Sequence, residues 1–444
     1  MATTPIRGGS GALAHVESVH ALHPDVPLEA VVKEDLLRRG VWFTPEALAA
    51  HRDYAAKSYF IFSFDRRPLA EMQGEERDRA PEEISLSGGP FGFKRVIVSV
   101  RLDPESPWKV ELVDDRVTLV CEGTSVAEVG FAPRPPYYGM KTADGTPVVE
   151  VAPTIEWGYL LYLTVFRLCQ YFGRDEECRF CDINENFRQQ RALGRPYYPV
   201  KPVERVLDAL RLAVGAGASA KAYTLTGGSI TTELDGLDEA SFYVRYAEAI
   251  EAEFPGRWIG KMVVQALPIE SVKRIRAAGI RIYHPNYEVW DADKFRLICP
   301  GKERYVGRDT WIRRILDSVD VFGVGKVIPN FVGGVEMSKP HGFAHVKDAL
   351  ASAEEGLDFM MARGVIPRFT TWCPEPLSEL GADNPPAPLE YHVGLLSVYR
   401  RTLEKHGLAA PPGYGEPGLG NAVFSVSAFM DVLDASRGTV PLDA

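Results

Sequence analysis

Long apolar runs are missing from this chain of 444 residues. The most apolar stretch, Trp157 to Phe166, is about half of the ~20 residues that a membrane helix requires, so no membrane is expected as a partner. Met1 to Pro24 is polar, contains Gly, Ala and His, and lacks a hydrophobic signal segment, which points to a cytoplasmic protein. Positive charge is also short. With 50 Lys and Arg against 60 Asp and Glu, the net charge is −10, and broad binding to a nucleic-acid backbone needs a basic surface instead. Arg95, Arg101 and Arg134 are balanced by nearby acids and form no basic stripe. Cysteine is scarce too. Six in a chain this long make no disulfide framework and suit a reducing compartment better. What is present is ordinary globular composition, 45% hydrophobic and 25% charged, enough for a sizeable core.

Residues 1–26 read as a flexible leader. Helical patterns follow over Leu28–Arg39 and Pro45–Ala56, the second opened by Thr44 as N-cap. From Lys94 the period changes to alternation, with Val96, Val98 and Val100 on one face. Trp108–Val113 and Arg116–Cys121 flank Asp114-Asp115 as a hairpin, and Val126–Phe131 adds a strand. Residues 27–150 are therefore expected to form a small strand-rich region. From Tyr159 strands and helices alternate. Strands are expected over 159–166, 222–225, 258–264, 281–287, 325–332 and 366–372, with a helix in each interval. Right-handed crossovers at this spacing imply a parallel sheet, and six units suit an α/β partial (β/α)6 TIM-like barrel over 151–380. Residues 381–444 read as a C-terminal helix, Leu389–His406, and a Gly/Pro-rich tail from Pro411.

The chemistry is concentrated after the first barrel strand, where Cys169, Cys178 and Cys181 stand as Cys-x8-Cys-x2-Cys. Thiolates ligate zinc and iron–sulfur clusters alike. A structural zinc site wants four closed ligands, and Cys121, Cys299 and Cys373 make no second Cys-x2-Cys pair. Three thiolates fit a cubane cluster with one iron left for a small chelating ligand.

Phe180 precedes the last of these cysteines, Thr226-Gly227-Gly228-Ser229 follows the second strand, Asn286 and Glu288 end the fourth, and Ile328 to Glu336 follows the fifth. In this order the segments resemble the radical S-adenosylmethionine enzymes over roughly residues 155–375. That family holds a [4Fe-4S] cluster with three cysteines on the loop after the first strand of a partial barrel, usually as Cys-x3-Cys-x2-Cys; here the first gap is eight. The resemblance implies that Cys169, Cys178 and Cys181 ligate the cluster and that Phe180 fills the family's aromatic place. Thr226, Gly227, Gly228 and Ser229 would bring backbone carbonyls to the methionyl ammonium of S-adenosylmethionine. Asn286 and Glu288 would meet its ribose, although Glu288 reads equally as a surface residue. Val332, Gly333 and Glu336 would meet its adenine. Arg308, after Tyr305, would pair with the methionyl carboxylate or serve as a solvated helix charge. The implied reaction is reductive cleavage of S-adenosylmethionine, with flavodoxin or ferredoxin as electron donor, followed by hydrogen abstraction from a small biosynthetic substrate by the 5′-deoxyadenosyl radical. Rearrangement, elimination, oxidation or radical addition would complete it.

Only Cys299 and Cys373 lie beyond Cys181, which disfavours a second cluster and a sulfur-donating one, and no cobalamin segment precedes the barrel. Substrate contacts are expected from Gln265, His284, Asn330, Trp372, Cys373 and Glu375 at the strand ends. Cys373 and His284 are the catalytic candidates. For Cys373 the competing reading is a structural thiol under the last helix, and for His284 a side chain satisfying backbone groups. Cys121 reads as core and Cys299 as part of the loop after the fourth strand. Two other functions compete: the same chemistry on a protein or RNA, with the N-terminal region as docking module, and a non-enzymatic zinc-stabilised binding protein.

Overall fold

The computed structural model describes residues 11–57, 65–66, 80–194 and 196–442, except the Asn186 side chain. Among the described residues, six strands before residue 132 pair into one sheet. Its order is Trp42–Phe43, Trp108–Val113, Arg116–Cys121, Thr124–Phe131, Glu83–Gly88 and Phe93–Ser99. All pairings but the first are antiparallel. The expected hairpin forms because Asp114 and Asp115 both accept positive φ, 48° and 61°, as a tight turn between twisted strands requires. Val96, Val98 and Val100 are buried as the alternation implies. The strand Glu83–Gly88 was not expected. Thr44 does cap a helix, accepting from Ala47 N at 3.3 Å, but the helix is Pro45–Ala50 and stops short of Ala56.

The barrel strands are Leu160–Phe166, Ala222–Gly227, Ile259–Val264, Ile280–Pro285, Asn330–Gly333 and Arg368–Thr371. The first four are parallel neighbours in chain order, and the last two form a parallel pair. Parallel bridges Tyr283–Val327 and Glu288–Phe331 join the two groups into one arc. Helices Val203–Gly215, Glu239–Glu253, Ile269–Ala277 and Val346–Met361 pack outside, each presenting a buried stripe. The interval after the fourth strand holds four helices, Ala292–Ile298, Pro300–Tyr305, Arg308–Asp317 and Val319–Phe322, where one is expected. The fold is therefore a six-stranded partial α/β barrel.

First and sixth strands do not pair, and the gap between them is filled from both ends of the chain. Ser99 N donates to Ser425 O and Thr371 N to Val426 O, each at 3.0 Å. The C-terminal segment thus runs between the N-terminal sheet and the sixth strand. Helix Leu28–Arg39 anchors it with buried charges. Lys33 donates to Phe424 O and Asp431 at 2.6 and 2.7 Å, and Glu34 accepts from Ala428 N at 2.7 Å and from the Thr371 hydroxyl. Two expectations are corrected here. Residues 12–22 are helical, not a flexible leader, because Ala12, Val16 and Val19 make a buried stripe. The Gly/Pro-rich segment from Pro411 is no free tail, because Tyr414, Phe424, Phe429 and Met430 are buried.

Candidate active site

The loop from Cys169 to Cys181 owes its shape to side chains within and around it. Gly173 takes φ 93°, which turns the chain so that Glu176 N and Glu177 N reach Gly173 O at 3.0 and 2.9 Å. The Glu177 carboxylate accepts in return from Gly173 N at 2.9 Å and pairs with Arg188. Asn184 latches the start of the loop, accepting from Cys169 N at 2.8 Å and donating to Tyr171 O at 3.0 Å. Glu176 accepts from Arg304 and from the Tyr305 hydroxyl, at 3.1 and 2.9 Å. The long first gap is therefore an ordered excursion, and its acids hold it.

All three thiols open on one cavity of about 240 Å³ inside the barrel. Phe180, Thr226, Gly227, Gly228, Ser229, Asn286, Glu288 and Val332 line the same cavity, as do Gln265, His284, Asn330, Trp372, Cys373 and Glu375. The glycines act differently from expectation. A Cβ on Gly228 would lie 2.0 Å from Leu168 O and 2.5 Å from Cys169 Cα, and one on Gly227 2.3 Å from Phe166 O. They admit the cysteine loop against the second strand, and Ser229 N then donates to Cys169 Sγ at 3.3 Å. Burial pushes the Cys169 thiol up to about 12 and Cys181 well above its ordinary value. Cys178 goes down, first because the Cys299 thiol hydrogen-bonds to it and then because Lys302 is near. The shared proton sits on Cys299, which burial and Cys178 raise.

Arg308, Gly333 and Glu336 do not line this cavity. Arg308 donates to Trp290 O at 3.0 Å and lies over the Trp290 ring, held there by the helix that it begins. Gly333 faces outward to Leu395 and Phe369, as alternation from the inward Val332 dictates. Glu336 accepts from Gly334 N at 2.9 Å and from the Tyr391 hydroxyl; burial raises it to about 6. These three leave the list of candidate cofactor contacts. Tyr305 contacts Glu176 rather than a cavity group.

Several other expected side chains are already engaged. Gln265 donates to Ile230 O and Glu239 at 3.1 and 2.6 Å and meets the Tyr171 hydroxyl. Asn286 accepts from Asn330 N at 3.3 Å, and Asn330 from the Thr370 hydroxyl at 3.0 Å. His284 Nδ1 lies 2.6 Å from Ile328 O and must donate to it. Nε2 is then the acceptor, 3.3 Å from the Tyr414 hydroxyl. Burial and the cations Arg368 and Lys261 hold this imidazole neutral, well below its usual range. Cys373 faces the cavity and also lies beside the buried Arg101.

Lys302 escapes the sequence reading. It pairs with Glu288 at 2.7 Å, both side chains 8% exposed, and donates to Asn286 O at 2.9 Å. Glu288 is thus no surface residue; it also holds φ 75°, a conformation that a non-glycine residue keeps only where its surroundings impose it. Glu82, Glu83, Ser99, Glu156 and the segment Phe424–Val426 were missed as well, and all line the cavity. Nothing local marks them, because the N-terminal sheet, the turn before the first barrel strand and the C-terminal segment bring them in. Among the described residues no three His, Cys, Asp or Glu side chains converge on a single ion. A cubane distributes its thiolates over separate irons, so its ligands need not meet at one point.

No family model matches the chain, and no curated protein matches it in sequence. Solved structures that it resembles include methylornithine synthase (PylB), 13% identical with a TM-score of 0.40, over 61% of this chain and 72% of that one. HydG, a maturase of the [FeFe]-hydrogenase, is 13% identical with a TM-score of 0.41, over 55% and 49%. Coproporphyrinogen III oxidase (HemN) from Escherichia coli, described as a radical SAM enzyme, is 13% identical with a TM-score of 0.34, over 56% and 52%. The chain thus spans about half the length of the latter two. Likeness at this level assigns no role to any residue. No helix among the described residues is long and apolar enough to cross a membrane.

Proposed function

We propose that this chain is a radical S-adenosylmethionine enzyme acting on a small biosynthetic substrate held inside its barrel. One observation carries the proposal: Cys169, Cys178 and Cys181, on the loop after the first barrel strand, share a cavity with the ends of the other strands. The donor set fits a [4Fe-4S] cluster. Ser229 N and the Cys299 thiol are placed to hydrogen-bond to two of the three sulfurs, the kind of contact that tunes iron–sulfur thiolates. When bound, the cluster supplies the electron that cleaves S-adenosylmethionine to a 5′-deoxyadenosyl radical, with flavodoxin or ferredoxin as the proposed donor.

The chain's own residues would bind and shield. Thr226 to Ser229, Asn286 and Glu288 stand beside the thiols as contacts for S-adenosylmethionine, with Lys302 fixing the Glu288 carboxylate at 2.7 Å. The N-terminal sheet and Phe424–Val426 close the open side of the barrel, which keeps water from a reactive radical. His284 keeps its proton on Nδ1, directed at Ile328 O, so its place in the reaction is positional. A cytoplasmic, reducing setting suits six cysteines that form no disulfide.

Anaerobic purification tests the proposal. The protein should be brown, show charge-transfer absorption and hold about four irons per chain. With dithionite it should release 5′-deoxyadenosine from S-adenosylmethionine. A variant with Cys169, Cys178 and Cys181 all changed to Ala should fold yet lose iron and this activity. Colourless protein holding stoichiometric zinc would defeat the reading.

A further inference from the structure

The cavity does not stop at the strand tips. It continues past Tyr162, Thr224 and His284 to Glu156, just before the first strand, and to Arg368, the first residue of the sixth. Most charged groups of the wall are engaged. Glu288 pairs with Lys302, Glu375 with Asp182, and Glu83 accepts from Glu156 N and Trp157 N at 2.7 Å each. Glu156 and Arg368 differ. Glu156 is 2% exposed; among the described residues its Oε2 has no hydrogen-bond partner and neither side chain has an ion-pair partner. Arg368 Nε is likewise unpartnered, while its guanidinium contacts the Tyr414 hydroxyl. A buried carboxylate without a partner is rare and calls for a ligand. Its placement is also imposed: Glu156 and Trp157 hold φ of 57° and 55°, which bulky L-residues avoid, and Glu83 grips both amides.

We infer that this end of the cavity binds the polar head of the substrate, and that the head is a zwitterion, with its protonated amine at Glu156 and its carboxylate at Arg368. The inference rests on the proposed function, which puts the substrate in this cavity. A bare cation would meet Arg368 and Lys261, the positive neighbours of Glu156, and a bare anion would meet Glu156. A molecule carrying both charges satisfies both. The guanidinium fork suits a carboxylate, and its further N–H groups remain after the Tyr414 contact. A free amino acid and a residue within a peptide share a side chain, but only the former offers both charges.

Calorimetric titration of the anaerobically purified full chain tests this. The probes are the common L-amino acids, their N-acetyl and carboxamide forms, and tripeptides with the same residue at the centre. At least one free amino acid should bind, with either blocked form weaker by about tenfold or more. Glu156→Gln should abolish the preference for the free amine, and Arg368→Gln the preference for the carboxylate. The inference is overturned if no free amino acid binds, if blocked forms or tripeptides bind the wild-type chain equally well, or if the two variants keep both preferences. Iron content is read on the same sample. Amino-acid binding without iron sinks the radical reading and leaves the subsite, whereas iron without binding sinks the subsite alone.

Discussion

Gly228→Ala is the sharpest probe of how the cysteine loop is held. The added Cβ would lie 2.0 Å from Leu168 O and 2.5 Å from Cys169 Cα, where ordinary contact begins at 3.4 Å. Both obstacles are backbone, so no side-chain rotation relieves them. The loop or the second strand must move by about 1.4 Å to restore ordinary contact. A shift of that size is enough to lengthen the 3.3 Å bond from Ser229 N to Cys169 Sγ beyond hydrogen-bonding range. Overpacking of this kind costs about 1–3 kcal/mol. The expected variant is folded, less stable to urea, and deficient in iron after anaerobic reconstitution. Gly215→Ala is the control. It ends the helix Val203–Gly215, and its Cβ would meet nothing within 4 Å, so stability should hold or rise by about 0.5–1 kcal/mol with full iron. A Gly228→Ala protein with wild-type iron and wild-type urea midpoint would refute the close packing of loop on strand.

Lys302→Met should lower stability by about 3–5 kcal/mol, because it strands the buried Glu288 carboxylate; urea titration reads this, and an unchanged midpoint would show that the pair contributes nothing. Cys299→Ala should slow alkylation of Cys178 in the iron-free protein near pH 8, since the Cys299 hydrogen bond is the largest cause holding Cys178 down; peptide mass spectrometry assigns the site, and an equal or faster rate contradicts the pairing. Burial raises Glu83 from 4.5 to about 7. Between these values the folded state keeps a proton that the unfolded state has released, so this contribution is complete below pH 4.5 and is lost as pH rises through 7. The loss reaches at most about 3 kcal/mol. Melting temperatures of wild type and Glu83→Gln should therefore converge or cross between pH 4.5 and 7.5, and parallel profiles would rule it out.

Local periodicity carried most of the architecture. The runs at 160–166, 222–227 and 259–264 are apolar because both faces of a parallel strand are covered, and alternation at Val96, Val98 and Val100 reports a sheet with one buried face. The three cysteines were legible for a similar reason, since ligands on one loop are close in sequence as well as in space. Boundaries failed where a helical stretch divides, as after the fourth strand, where the single expected helix is four. Residues 12–22 and 411–442 were misjudged because burial against distant partners is no property of a segment by itself. Val16 and Phe424 are core only because other elements cover them.

The rest of the site is tertiary. Lys302 reaches Glu288 only because a short helix after the fourth strand turns back over the cavity. Arg308 and Glu336 are engaged outside the cavity, by Trp290 O and the Tyr391 hydroxyl, and Gly333 falls on the outward step of its strand, which one residue of register decides. The wall across the open side of the barrel comes from residues 82–83, 99, 156 and 424–426, and so joins stretches that are hundreds of residues apart. Cysteine spacing, βα alternation and charge balance are written along the chain and need no partner to be read. Which carboxylate is paired, which glycine admits a loop, and which side chain faces the cavity are set by contacts between segments whose relative positions only the packed core determines.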